Sequence, residues 1–293
     1  MLSKMKVFIP SKDRASQLDL LLRSMQENLP NINFDVCVLY KMSSEEFGRG
    51  YRKLSQNKFG NVFFHLHEET DFQSQFTDYV YQFQDDNIML VTDDSIFYRE
   101  SLATEDDINE VMDEKVWSFS FRLGLNTTTQ WYRSGLQQDH LDKLGYQLVS
   151  PYRISSEKYI RWNWKMRHPF ENYGYMMSWD GHIYNGSDLL LLAQKYSFYN
   201  PRTFEDRATK DMSDRSLVTK KYMVALEKSC LFVNTINAVQ EEAPPFGDKY
   251  QCSAEELNKR YLAGEVISMK PFRGLELSGS HDEIPLEFEN GDI

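Results

Sequence analysis

Apolar positions along the first hundred residues switch between two periods. Short apolar runs at 5–10 (MKVFIP), 34–40 (FDVCVLY), 61–67 (NVFFHLH) and 87–91 (NIMLV) predict four strands. Between them, apolar residues recur at helical spacing. Leu18, Leu21, Leu22, Met25 and Leu29 share one face of a helix over 16–29. Phe72, Phe76, Tyr79, Val80 and Phe83 share another over 71–83. A helix over 43–54 opens with Ser43 and Glu46 in capping-box spacing and aligns Phe47, Tyr51 and Leu54, although Gly48 and Gly50 weaken it. Strands alternating with helices need right-handed crossovers, which predicts an α/β fold around a mainly parallel sheet.

The middle of the chain alternates instead. Trp117, Phe119 and Phe121 fall on one side of 116–126, and Trp162, Trp164 and Met166 on one side of 161–168, as strands with one buried face would require. Residues 187–198 predict a helix capped by Ser187, 199–206 (YNPRTFED) a loop, and 213–229 a helix. Residues 230–236 (CLFVNTI) read as a strand and 243–248 (APPFGD) as a loop. A helix over 253–265 has Ser253 and Glu256 in capping-box spacing and Gly264 as its stop. The last twenty residues, rich in Asp and Glu, are expected to be poorly ordered. The simplest division is one domain over 1–265, followed by an acidic tail at 266–293. Within the domain the pattern changes at about 100 and again at about 205, and 206–265 form a C-terminal helical part.

In parallel sheets, ligands bind beyond the carboxyl ends of the strands. Those ends carry PSKDR (10–14), YKMSS (40–44), HEETD (67–71) and TDDS (92–95). The last is the most demanding. Asp93 and Asp94 adjoin at the end of a buried strand, where like charges repel and are costly to desolvate. Something positive must sit there, and a divalent metal with oxygen ligands is the obvious candidate. An ordinary turn or helix cap is the alternative. At Asp13 and Arg14 the choice lies between contacts to a base or ribose and a cap on the following helix. Asp180, Gly181 and His182 form either a common Asp-Gly turn or a cleft lip bearing a general base and a metal- or phosphate-binding imidazole. The rings around them, with Trp162 and Trp164 foremost, suit either a sugar-binding face or an aromatic core. His65 and His67 alternate in a strand, while His140 and His281 have no recognisable context.

Composition narrows the classes. A formal net charge of −11 argues against nucleic acid as the main partner. The three cysteines, Cys37, Cys230 and Cys252, show no paired metal spacing and suit a reducing compartment. No apolar run approaches the ~20 residues that span a bilayer, and no signal peptide is visible, so a soluble, cytoplasmic protein is expected. No G-x-S-x-G, P-loop or G-x-G-x-x-G occurs.

The order IPSKDR (9–14), three further strands and LVTDDSIF (90–97) resembles the nucleotide-binding half of GT-A-type, family-2-like glycosyltransferases. FSFRLGLNT (119–127), WNWKM (162–166), YGYMMSWDGHIY (173–184) and YNPRTFE (199–205) extend the resemblance over about residues 5–265. It implies a GT-A (Rossmann-like) mixed sheet of seven or eight strands flanked by helices, with a C-terminal helical extension. It implies a nucleotide-diphosphate sugar donor, a carbohydrate or other hydroxyl acceptor, and Mn²⁺ or Mg²⁺. On this resemblance Asp94 is the metal ligand, and Asp93 contacts ribose or the metal through water. Pro10, Ser11, Asp13 and Arg14 border base and ribose, and Asp180 stands where inverting members carry their base. The family's Glu-Asp base motif is not obvious, SWDGH replaces it, and His182 is an alternative metal ligand. Trp162 and Trp164 are the expected acceptor platform. The rivals are a sugar-phosphate nucleotidylyltransferase, whose Gly-rich loop is missing after the first strand, and a non-catalytic carbohydrate- or nucleotide-binding protein.

Overall fold

The computed structural model describes residues 4–132, 135–138, 146–149, 157–212, 219–236, 250 and 252–291. Met5–Lys12 forms β1, Ala15–Asn28 α1, Phe34–Lys41 β2, Glu45–Leu54 α2, Val62–Glu68 β3, Phe72–Gln82 α3 and Asn87–Leu90 β4. Next come β5 (Ser95–Phe97), α4 (Glu105–Val111), β6 (Val116–Ser120), β7 (Thr129–Tyr132), β8 (Gly135–Gln138), β9 (Gln147–Val149) and β10 (Tyr159–Asn163). The chain continues through β11 (His182–Asn185), α5 (Gly186–Lys195), α6 (Pro201–Met212), β12 (Tyr222–Leu226), β13 (Leu231–Asn234) and α7 (Ala254–Leu262). Three short strands follow: β14 (Glu265–Ile267), β15 (His281–Asp282) and β16 (Phe288–Asn290).

The expected mixed α/β sheet is present. Nine strands run in the order β3-β2-β1-β4-β11-β6-β12-β10-β9. Strands β3, β2, β1 and β4 are mutually parallel, as their helical crossovers require. Strand β11 enters antiparallel between β4 and β6, and β12 lies parallel to β6. Period-two alternation divides the core between the two faces. Val7 and Ile9 of β1 pack with Leu18, Leu21 and Met25 of α1, while Phe8 points oppositely into a ring-rich cluster with Phe72, Phe76, Trp162, Trp164 and Trp179. Among the described residues, no helix is long and apolar enough to cross a membrane.

Asn185, not Ser187, caps α5, and the alternating run at 116–126 is strand only to Ser120; four larger expectations also change. Residues 222–226 are strand rather than helix. Four of the five residues are fully buried between β6 and β10, and an apolar run covered on both sides has no helical stripe to read. Residues 201–212 are helix rather than loop; Pro201 occupies the first turn, and Asn200 Oδ1 accepts the Thr203 N–H at 2.8 Å. The alternating run at 161–168 is strand only to Asn163, then a 3-10 turn over Trp164–Met166. The acidic C-terminal stretch is paired rather than loose, with β15 on β13 and β16 on β14. His140 and the loop expected at 243–248 lie outside the described residues. The expected helix at 213–229 begins outside them too.

Trp162 is 2% exposed, and its indole N–H donates to Tyr173 O at 2.8 Å. Trp162→Ala is expected to lower unfolding stability by about 3–5 kcal/mol, the usual cost of removing a buried Trp side chain, in a urea titration.

Candidate active site

The rim at the carboxyl ends of β1, β4 and β6 holds two linked groups of charges. The first begins at β1. Ser11 Oγ and Tyr51 OH lie 2.7 Å apart, and the same phenol accepts the Arg14 N–H at 3.1 Å. Asp13 stands between them in the left-handed region, at φ 58°, a conformation that Asp tolerates better than most residues. Its carboxylate accepts the Ser43 N–H at 2.7 Å and so ties the end of β1 to the loop after β2. It does not cap α1, whose N-cap is Arg14 without a side-chain bond. Ser43 is accordingly no capping box for α2, which starts from Ser44.

From this turn Arg14 reaches across to β4. Its Nη1 lies 2.9 Å from Asp93 Oδ1 and 2.9 Å from Asp94 Oδ2, with the guanidinium and Asp93 both buried. The positive charge that the carboxylate pair demands therefore comes from the chain itself. Burial drives the Asp93 carboxyl up to about 6, Asp94 adds to the rise, and Arg14 with Ser11 opposes it. The donor set does not fit a resident divalent ion. The guanidinium already bridges both carboxylates, and no group of three or more His, Cys, Asp or Glu able to hold a metal occurs among the described residues. A narrow cleft of about 10 Å³ opens beside the pair, lined by Gln17, Leu20, Ile96, Asn234, Ile236 and Leu286.

The second group centres on Asp180. Gly181 turns the chain at φ 70°, donating its N–H to Leu90 O at 2.9 Å and accepting the Phe121 N–H at 3.0 Å. This Asp-Gly turn thus pins Asp180 between the ends of β4 and β6. Arg122 Nη1 lies 2.9 Å from Asp180 Oδ2, and His281 Nε2 lies 3.5 Å from the same oxygen. Thr92, next to Asp93, donates to Asp180 Oδ1 at 3.3 Å and joins the two groups. Burial alone would raise Asp180, but the hydrogen bond from His281 and the charge of Arg122 hold it well below the usual carboxylate range. Glu205, on the first turns of α6, is affected in the opposite sense. Burial, then repulsion from Asp180, pushes its carboxyl up to about 8.

Three other expected contributors are placed as follows. His182 is fully buried, with Nε2 2.9 Å from Ser120 Oγ and Nδ1 3.3 Å from Tyr184 OH; burial holds it neutral, and both nitrogens are engaged, so it is no metal ligand. Trp162 and Trp164 are core residues with satisfied indole N–H groups and offer no face to an acceptor. The end of β3 does not join the charged rim: Glu69, Thr70 and Asp71 line a separate groove of about 570 Å³ with Phe198 and Tyr199. His65 and His67 are exposed on edge strand β3. Pro10 lies within β1, beside Leu39 of β2. Sequence reasoning missed Arg122, Glu205 and His281. Only Glu205 carried a usable signal, the Glu205-Asp206 dipeptide after an Asn-Pro helix start.

No family model and no curated protein matches the chain. Among solved structures, a WbbM bifunctional glycosyltransferase in its apo form is similar at 14% identity and a TM-score of 0.36, over 72% of this chain and 37% of that one. The chain thus spans well under half of that protein. A CMP:2-keto-3-deoxy-manno-octonic acid synthetase in complex with CTP is similar at 10% identity and a TM-score of 0.33, over 76% of this chain and 89% of that one. Likeness at this level carries no argument about chemistry.

Two outcomes follow from the charges. Arg14→Met leaves two carboxylates without their cation and is expected to cost about 3–5 kcal/mol in a denaturant titration. Glu205 holds its proton up to about 8, against 4.5 for an ordinary glutamate. Between those values the folded state binds more protons than the unfolded one, so its stability falls as pH rises through that window. Glu205→Gln removes that penalty. Its melting temperature is expected to exceed that of the wild type above about pH 8 and to converge with it toward about pH 4.5, in thermal melts across the window.

Proposed function

We propose that the chain transfers a glycosyl group from a nucleotide-diphosphate sugar to an acceptor hydroxyl. The observation that carries this reading is the Asp180–Glu205 pair. Two carboxyl groups share one site with opposite proton affinities, beside two buried arginines at the ends of parallel strands. Environments that drive two carboxyls apart in this way assign acid–base roles. Glu205, with its carboxyl raised to about 8, is a strong base in its ionised form, whose share grows as pH rises toward that value, whereas Asp180 is held ionised and is a poor one. The base role that the resemblance gave to Asp180 therefore passes to Glu205.

In the proposed reaction the acceptor oxygen attacks the anomeric carbon, and Glu205 takes its proton. The bond from that carbon to the diphosphate oxygen breaks, and its electron pair leaves with the diphosphate. Arg14 and Arg122 supply fixed positive charge toward the departing anion. Both have a buried Nε without a partner among the described residues, so each retains donor capacity. Asp180 keeps the Arg122 guanidinium in place. Pro10, Ser11, Asp13 and Asp93 border the base and ribose in this reading. No step runs through a metal.

The test is a thermal-shift and calorimetric series with nucleoside diphosphates and their sugars, each in Mn²⁺ and in EDTA, followed by donor hydrolysis. A nucleoside diphosphate is expected to raise the melting temperature. Glu205→Gln is expected to lower turnover roughly 10²–10⁴-fold with donor affinity retained, as loss of a general base does. Asp180→Asn is expected to weaken donor affinity and turnover together, because Arg122 loses its anchor. Absence of any shift with every nucleotide, in both conditions, sinks the reading.

A further inference from the structure

The stretch that reads as an acidic tail enters the site. Thr128 and Thr129 donate their N–H groups to Ser278 O at 2.7 and 2.8 Å, and Val233 donates to Ser280 O at 3.0 Å. Asn234 clamps the segment in both directions, donating from Nδ2 to Ile284 O and accepting the Ile284 N–H on Oδ1, each at 3.0 Å. Ser280 Oγ lies 3.2 Å from Asn172 Oδ1 and 3.1 Å from His281 Nδ1. These bonds fix the imidazole with Nε2 3.5 Å from Asp180 Oδ2. Further on, Leu286 lines the cleft beside Asp93 and Asp94. One segment therefore touches both carboxylate centres.

We infer that residues 278–286 complete the site and that His281 is a positioning residue for Asp180. Two hydroxyls also reach that carboxylate, Thr92 Oγ1 at 3.3 Å from Oδ1 and Ser178 Oγ at 3.4 Å from Oδ2, and His281 is the contact that the C-terminal segment adds. Arg122 and His281 both hold Oδ2, and together they restrict the carboxylate to one rotamer. Without His281 the carboxylate is left with Arg122 and the two hydroxyls, gains freedom to turn, and directs the guanidinium less tightly. Only the expected effect on turnover rests on the proposed glycosyl transfer; the placement of Asp180 does not.

The experiment compares full-length wild type, His281→Ala and His281→Gln, the last keeping an amide N–H near the position of Nε2. Carboxyl modification by a water-soluble carbodiimide with an amine is followed at Asp180 by mass spectrometry, with Asp13 as the internal reference. Asp180 is expected to react several-fold faster in His281→Ala, with Asp13 unchanged and His281→Gln close to wild type. Turnover of a nucleotide sugar is expected to fall about tenfold or more in the Ala variant, as small misplacements do, and to recover in part with Gln. Equal Asp180 reactivity in all three proteins overturns the inference, as does a Gln variant no better than Ala. If Asp180 responds while no nucleotide sugar is turned over by any form, the positioning stands and the proposed transfer falls. Should the Ala variant not fold, the Gln variant decides: wild-type reactivity and turnover support the role, and loss of both overturns it.

Discussion

One buried guanidinium between two adjacent carboxylates governs the arrangement of the rim. Asp93 and Asp94 end a strand whose apolar residues are fully buried, where charge of one sign cannot stand alone. Arg14 can reach them because the turn after β1 is held open from three sides: the Tyr51 hydroxyl on the Arg14 N–H, the Asp13 carboxylate on Ser43, and the Asp13 N–H on Lys41 O. The left-handed backbone at Asp13 is thus part of an electrostatic solution. It aims the next residue across the sheet rather than up the helix.

The same logic recurs one strand away with a different balance. At Asp93 burial prevails over its arginine, and the carboxyl rises; at Asp180 the His281 hydrogen bond and Arg122 prevail over burial, and the carboxyl falls. Glu205 then feels an ionised neighbour, which adds to its own burial. A site with such unlike proton affinities needs no unusual residue. It needs carboxylates whose counterions are unevenly shared.

The first hundred residues were legible because their information is local. Strand and helix periods there alternate cleanly, and each strand end carries its polar residues in sequence order. Two blocks escaped for opposite reasons. Residues 222–226 are buried on both faces, so no stripe distinguishes strand from helix. The C-terminal segment is polar and acidic in composition, but its order comes from backbone bonding to β13 and from Asn234, which composition does not reveal. The carboxylate pair calls for a cation, and in the fold Arg14 lies against both carboxylates. Arg14 and Asp93 lie far apart in sequence, and only the β1–β4 pairing brings them together. Trp162 and Trp164 show the converse. A ring-dense stretch suits both a sugar platform and a core, and burial alone separates the two.

Strand β11 has a consequence for how the chain is made. It fills the middle of the sheet, pairing Ile183 with Met89 on one side and Phe119 on the other, yet it is synthesised after both neighbours. Until it arrives, β4 and β6 each present an unsatisfied edge, the kind of surface that recruits wrong partners. Residues 1–100 are therefore no separable module, since β4 lacks one hydrogen-bonding neighbour when they are excised. The polypeptide must defer closure of its central layer until well past its midpoint, and the steps before closure are those most exposed to misassembly on the ribosome.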